Sequence, residues 1–330
     1  MKKKLAALLA GMLLLTGCGS AAATAGGDAA APAQTGDGQT YKVGICQLVQ
    51  HDALDAATQG FQDALKEALG DSVTFDVQNA QGDSTTCATI TNSFAANSYD
   101  LIMANATPAL QAAVASTTTI PIVGTSVTDY ATALAMKDFS GTTGINVTGT
   151  SDLAPLDQQE DMILELVPDV KKVGILYCSG EANSDYQAKT IEKYLDEDKI
   201  AYEEFTFADS NDLQAVVSSA VGSVDALYIP TDNTAASNMT IISNVCQPAG
   251  MPVICGEENM MLGGGLATLS ISYYDIGFEA GKMAAKILTE GIDPSTMEIG
   301  TASTTTKKYN IDYAEAIGFT VPEGYEGVQK

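Results

Sequence analysis

The strongest constraint on this chain is an internal repeat. Lys42-Val43-Gly44-Ile45 returns as Lys172-Val173-Gly174-Ile175, 130 positions later. Four residues could match by chance, but the landmarks that follow keep the same order. The stretch from Asp52 to Leu69 places Ala57, Phe61, Ala64, Leu65 and Leu69 at three- and four-residue spacings, which predicts a helix, and Tyr186 to Leu195 repeats that spacing. Each unit then gives a strand, "VTFDVQNAQGD" or "AYEEFTFADSND", and a second helix, over about 84–96 and 213–221. Next, "SYDLIMANATPAL" answers to "SVDALYIPTDNTA", and "IPIVGTS" to "MPVICGEE".

This period is far too long for a solenoid. Strand–helix alternation with continuous apolar strands predicts parallel sheets covered by helices on both faces. The expected fold class is therefore α/β, with two doubly wound parallel-sheet lobes. Right-handed crossovers place the strand carboxyl ends along one edge of each lobe, and open sheets take their ligands there.

The polar residues concentrate at those ends. In the first lobe they are Gln47, Gln50 and His51, then Asn105 and Thr107, then Thr125 and Ser126. In the second they are Ser179, Glu181, Asn183 and Ser184, then Thr231, Asp232 and Asn233, then Glu257 and Glu258. Thr107-Pro108 reads as a helix N-cap and first turn. The free N–H groups and dipole of such a helix start favour an anion. A ligand carboxylate would suit Thr107, Thr125 and Ser126, and Asp232 would suit an ammonium; together they describe an amino-acid zwitterion. The same residue types are also caps and turn formers, so capping stays open as a second reading of Asp232.

His51, the only histidine, either opens the first helix or serves as a base. No nucleophile elbow, zinc-binding helix motif, phosphate loop or dinucleotide fingerprint accompanies it. No catalytic residue, metal site or cofactor is expected.

The amino-terminal stretch "MKKKLAALLAGMLLLTGCGS" has a basic start and an apolar run, Leu5 to Leu15, too short to cross a bilayer as a helix. It reads as a secretory signal over residues 1–17. Leu15-Thr16-Gly17-Cys18 resembles the bacterial lipobox, which implies a lipid on Cys18. Residues 18–40, rich in Ala, Gly and Thr, lack the apolar surface to offset their chain entropy and read as a flexible linker. A formal net charge of −25 disfavours nucleic acids and anionic membrane surfaces as partners. The five cysteines beyond Cys18 show no C-x-x-C spacing, so neither a zinc site nor a full disulfide framework is expected; a Cys246–Cys255 bridge stays open.

The segments "HDALD", "ATPAL", "GTSVTD", "SGEANS", "PTDNT", "GEENMMLGGGLATLSISYYDIG" and "YNIDYAEAIGFTVP" carry a family likeness. With them the chain, from Tyr41 to Pro322, resembles the bacterial ABC-transporter substrate-binding lipoproteins of the tryptophan-binding group. It departs from the family pattern at Asp52 and Tyr130, where proline is usual, and both positions fall near the cleft. The resemblance implies a type I periplasmic-binding-protein-like fold, a Venus flytrap with a three-crossover hinge. On that frame lobe one spans 41–147 and 273–298, and lobe two 148–272 and 299–330.

The resemblance also implies a non-enzymatic, extracytoplasmic monomer, lipid-anchored to the cell membrane. Its ligand would be an aromatic amino acid (Trp, Tyr or Phe), delivered to an ABC permease and its ATPase. The chain has no tryptophan, so ring stacking falls to tyrosine or phenylalanine, with Tyr273 and Tyr274 as candidates for stacking or for hinge packing. Two other readings remain: a sensor presenting its closed form to a membrane receptor, and a lipid-anchored hydrolase using His51.

Overall fold

The computed structural model describes residues 40–302 and 304–329. The signal, the Cys18 motif and nearly all of the linker lie outside the described residues. The chain opens with β1 (Tyr41–Gln47), α1 (Asp52–Leu69), β2 (Val73–Asn79), α2 (Ser84–Ala96), β3 (Leu101–Asn105), α3 (Thr107–Ser116), β4 (Ile122–Val127), α4 (Tyr130–Ala133) and β5 (Val147–Ser151). It continues with α5 (Leu156–Leu166), β6 (Lys172–Cys178), α6 (Ala182–Glu197), β7 (Ala201–Phe207), α7 (Ser210–Val221), β8 (Ala226–Ile229), α8 (Asn233–Ala236), α9 (Met239–Cys246), β9 (Val253–Cys255), α10 (Glu258–Gly264) and β10 (Ala267–Ser270). It ends with α11 (Tyr273–Glu290), β11 (Gly300–Thr301), β12 (Thr306–Asn310), α12 (Ile311–Ile317) and β13 (Glu326–Val328).

Two sheets result. The first, ordered β11-β5-β4-β3-β1-β2, is parallel throughout. The second, β13-β12-β10-β9-β8-β6-β7, is parallel except where β12 runs against β10. The repeated Val-Gly-Ile strands, β1 and β6, occupy the same place in each sheet. From each, the chain moves first to one side (β2, β7) and then to the other (β3, β8). That reversal is the topological switch point at which doubly wound sheets bind ligands.

Local chemistry explains the elements. The spacing of Ala57, Phe61, Ala64 and Leu65 along α1 puts all four on its buried face. Burying a side chain such as Phe61 contributes about 1.5–3 kcal/mol. Asp83 caps α2 by accepting from the Thr86 amide at 2.5 Å, and Ser272 caps α11 through the Asp275 amide at 3.2 Å.

Strand pairing gives the hinge its limits. β5 pairs with β4, and β11 pairs with β5 through Gly300 and Thr150, so both edge strands belong to the first sheet. On this pairing the chain leaves lobe one after Ser151, three residues past Thr148, and again after Thr301, within the stretch 298–306 where the last crossing is expected. The second passage falls between β10 and α11, because α11 packs back along α1. Their contact is backbone to backbone. A methyl group placed on Gly277 would lie 2.1 Å from the Ala57 carbonyl oxygen, and one on Gly60 would lie 2.2 Å from that of Tyr274.

Cys246 and Cys255 are both free and buried, as are Cys46, Cys87 and Cys178. The open question of a Cys246–Cys255 bridge is answered against it.

Candidate ligand-binding cleft

The carboxyl ends of the two sheets face each other, and the lobes meet across them. His51, just before α1, brings Nε2 to 3.3 Å from Oδ1 of Asn233, at the start of α8 in lobe two. Helix α4 of lobe one packs on α6 of lobe two. A crevice of about 460 Å³ runs between them, lined by Leu48, Val49 and Pro108 on one side and Cys178, Glu181 and Asn233 on the other. These residues follow β1, β3, β6 and β8, so the crevice joins both switch points.

The strand ends of lobe one are turned unusually. Ala106 (φ 88°) and Ser126 (φ 54°) occupy the positive-φ region, which non-glycine residues adopt at a cost. Ala106 is the N-cap of α3, so Thr107 and Pro108 are its first two helical residues and not the cap and first residue. Thr107 is buried there. Thr125 and Ser126 part company. Thr125 Oγ1 is 3.0 Å from Thr150 Oγ1 and ties β4 to β5, whereas Ser126 Oγ is buried without a hydrogen-bond partner. Gln50 is exposed at the rim.

In lobe two most of the expected ligand contacts are braces. Asp232 caps α8 by accepting from the Ala235 amide (2.7 Å), and its other oxygen takes the Cys178 amide (2.7 Å) and the Ser184 hydroxyl (2.7 Å). The ammonium reading of Asp232 therefore gives way to the capping one, and Ser184 is spent on the same brace. Burial, with Glu181 nearby, raises the Asp232 pKa to about 7 against the pull of those donors. Glu181 accepts from Asn183, from the amide and side chain of Asn233, and from the amide and hydroxyl of Thr234. Glu257 caps α10 through the Asn259 and Met260 amides, both at 2.6 Å; burial raises its pKa to about 7. Three carboxylates expected in the site thus hold their own lobe together. Asn183 keeps an unpartnered side-chain oxygen.

Tyr274 lies outside the cleft. It is 39 % exposed, stacks on Phe278 and donates to Asp63 at 3.2 Å. Its neighbour Tyr273 is buried and donates to Asp152 Oδ2 at 2.7 Å. Asp152 is the residue that the sequence reading missed. It follows β5 at the first crossover, is 4 % exposed, and its Oδ1 has no partner. Burial raises its pKa, partly opposed by the Tyr273 hydrogen bond and the nearby Thr128 side chain. The available signal was "TSDLAP", an acid at the end of a strand just before the lobe change.

Burial lowers the His51 pKa, so the ring is neutral. Asn233 Nδ2 donates to Glu181 at 2.7 Å, so its Oδ1 is an acceptor and His51 Nε2 carries the proton. His51 Nδ1 is then a buried acceptor without a partner.

Comparisons with known proteins agree with this architecture. The family described as ABC transporter substrate binding protein matches residues 42–325. The tyrosine-binding protein of Clostridioides difficile (strain R20291) is 36% identical over 323 residues, covering 96% of this chain and 92% of that protein. The structure of an ABC domain in complex with L-Trp from Streptococcus pneumoniae is 33% identical, with a TM-score of 0.83, covering 88% of this chain and 100% of that one. CD0873 from Clostridium difficile, a substrate binding protein with adhesive properties, was determined in a ligand-free, open form. It is 36% identical over the same shares of the two chains, with a TM-score of 0.68. The fold is of the periplasmic-binding-protein type I class. The chain belongs to the ABC transporter substrate-binding protein family, a family of solute-binding proteins and not of enzymes.

Proposed function

We propose that this chain captures an aromatic amino acid, tyrosine or tryptophan, between its lobes and delivers it to an ABC permease and its ATPase. The observation that carries the reading is a group of buried polar atoms that, among the described residues, have no partner and lie around the facing strand ends: beside Asn105 Oδ1, these are Ser126 Oγ, Asp152 Oδ1, Asn183 Oδ1 and His51 Nδ1. Buried polar groups are otherwise almost always paired, so these four describe what a bound molecule must supply. The Ser126 hydroxyl and the amides opening α3 suit a carboxylate. The acceptor on His51 suits a phenol hydroxyl or an indole N–H. The names of the C. difficile and S. pneumoniae relatives point to the same ligand class.

Ligand at a hundredfold excess over its dissociation constant should stabilise the protein by about 2.7 kcal/mol. In a thermal-shift panel of the twenty amino acids, tyrosine and tryptophan should give the largest responses and exceed phenylalanine, which has no ring donor. A response confined to sugars or nucleosides would sink the reading.

The site of action is the outer face of the cell membrane, reached through a lipid on Cys18. Among the described residues no helix is long and apolar enough to cross a membrane. Cys18→Ser should move the protein from the membrane fraction to the soluble one. A variant that stays membrane-bound, beside a wild type that carries no lipid, would refute the anchor.

A further inference from the structure

We propose that Asp152, at the first crossover, is the anchor for the ligand's ammonium group and ties ligand capture to the hinge. This rests on the amino-acid reading above. Among the described residues, two buried carboxylates keep an unpartnered oxygen, Asp152 and Glu160. Glu160 lies on α5, where Asp198 and Asp161 are the charges that act on it, away from the cleft. Asp152 lies between the lobes. Thr128 of lobe one, Tyr273 of the second crossover and Glu257 of lobe two all act on it or feel its charge. The other interlobe carboxylates, Glu181, Asp232 and Glu257, are already supplied with donors from their own lobe.

The positive charge must come from the ligand. The sequence contains no arginine, and no lysine lines the crevice or the adjoining pocket beside His51 and Glu257. A buried carboxylate oxygen with no donor is costly, and an ammonium brought to it forms a charge-assisted hydrogen bond. Asp152 is also held rigidly. Its neighbour Ser151 donates to the Thr128 carbonyl at 2.8 Å, and Tyr130 donates to that of Thr150 at 3.3 Å. Because Asp152 follows β5 and Tyr273 opens α11, their 2.7 Å hydrogen bond joins two of the three strands that cross between lobes. An ammonium on Oδ1 would therefore fix the lobe setting as well as the ligand.

The test is calorimetric titration with L-tyrosine and with 3-(4-hydroxyphenyl)propionate, the same molecule without its ammonium. Wild type should prefer L-tyrosine by about thirtyfold or more, the scale expected when one partner of a buried charged pair is removed. Asp152→Asn should lose that preference, binding L-tyrosine at least about thirtyfold more weakly and the propionate within about threefold of wild type. Equal wild-type affinities for the two ligands would overturn the anchor even if the variant failed to fold. So would an Asp152→Asn variant that keeps its L-tyrosine affinity, or one that weakens both ligands equally, which marks a purely structural role. A wild type that binds no amino acid at all overturns the amino-acid reading, and the anchor with it.

Discussion

Asp232→Ala should lower stability by about 2–4 kcal/mol while changing amino-acid affinity by less than about threefold. The substitution strands two buried backbone donors, the amides of Cys178 and Ala235. The Ser184 hydroxyl, the third donor, can rotate to another acceptor. Each stranded donor costs about 1–3 kcal/mol, and removing a buried charge beside Glu181 returns part of that sum. The pH dependence carries a sign. The folded pKa of Asp232, about 7, lies above its ordinary value of 3.8, so the folded state holds the proton more tightly. Stability from this group is fully present below the unfolded value and is lost as pH rises through the folded one. The substitution should therefore cost more at pH 5 than at pH 8, which urea midpoints at the two pH values measure. A thirtyfold loss of affinity with unchanged stability would restore Asp232 to the ligand site.

Gly277→Leu should destabilise the protein by about 3 kcal/mol or more, at the upper end of overpacking effects. Side chains absorb most small-to-large changes by shifting rotamer. Here the obstacle is the Ala57 backbone, with its carbonyl oxygen 2.1 Å and its Cα 2.7 Å from the new Cβ, so α1 and α11 must separate. Gly281 adds a third close approach, to the Phe61 carbonyl oxygen at 2.6 Å, and prevents a simple pivot. Separation moves the start of α11 and with it Tyr273, so ligand affinity should fall together with the melting temperature. Gly222→Ala, at a position with nothing within 4 Å of the added methyl, serves as the control and should stay within about 0.5 kcal/mol of wild type. A Gly277→Leu protein that melts like the control would show that the two helices are not locked by this contact.

Periodicity and capping act within a few residues, and for that reason the elements are legible in the sequence. The spans read for the first two helices, Asp52–Leu69 and Ser84–Ala96, match α1 and α2. The repeat of Val43-Gly44-Ile45 at Val173-Gly174-Ile175 determined that two lobes of one topology exist, because equal strings in equal order fold to equal units. The crossover points were not readable to the residue. β5 and β11 are short edge strands whose order comes from pairing with distant residues, Thr150 with Gly300 above all, and neither has a local signal strong enough to set its end.

The division of labour among the polar strand-end residues was decided by tertiary structure alone. Sequence placed Asp232, Glu181, Glu257 and Ser126 at the cleft edge, but each can either brace its own lobe or face a ligand. The choice depends on which donors distant segments bring within reach. Cys178, 54 positions from Asp232 in the chain, brings an amide to its carboxylate; among the described residues none brings a partner to Ser126 Oγ or Asp152 Oδ1. Thr125 and Ser126, adjacent in sequence and alike in chemistry, part because the β4–β5 register shifts between Gly124 and Val127 and Ser126 takes a positive φ there: Thr125 meets Thr150, and Ser126 Oγ meets no partner. Sequence determined the lobes and the edge where a ligand must lie. Only the packing of one lobe's donors against its own acceptors decided which groups remain for that ligand.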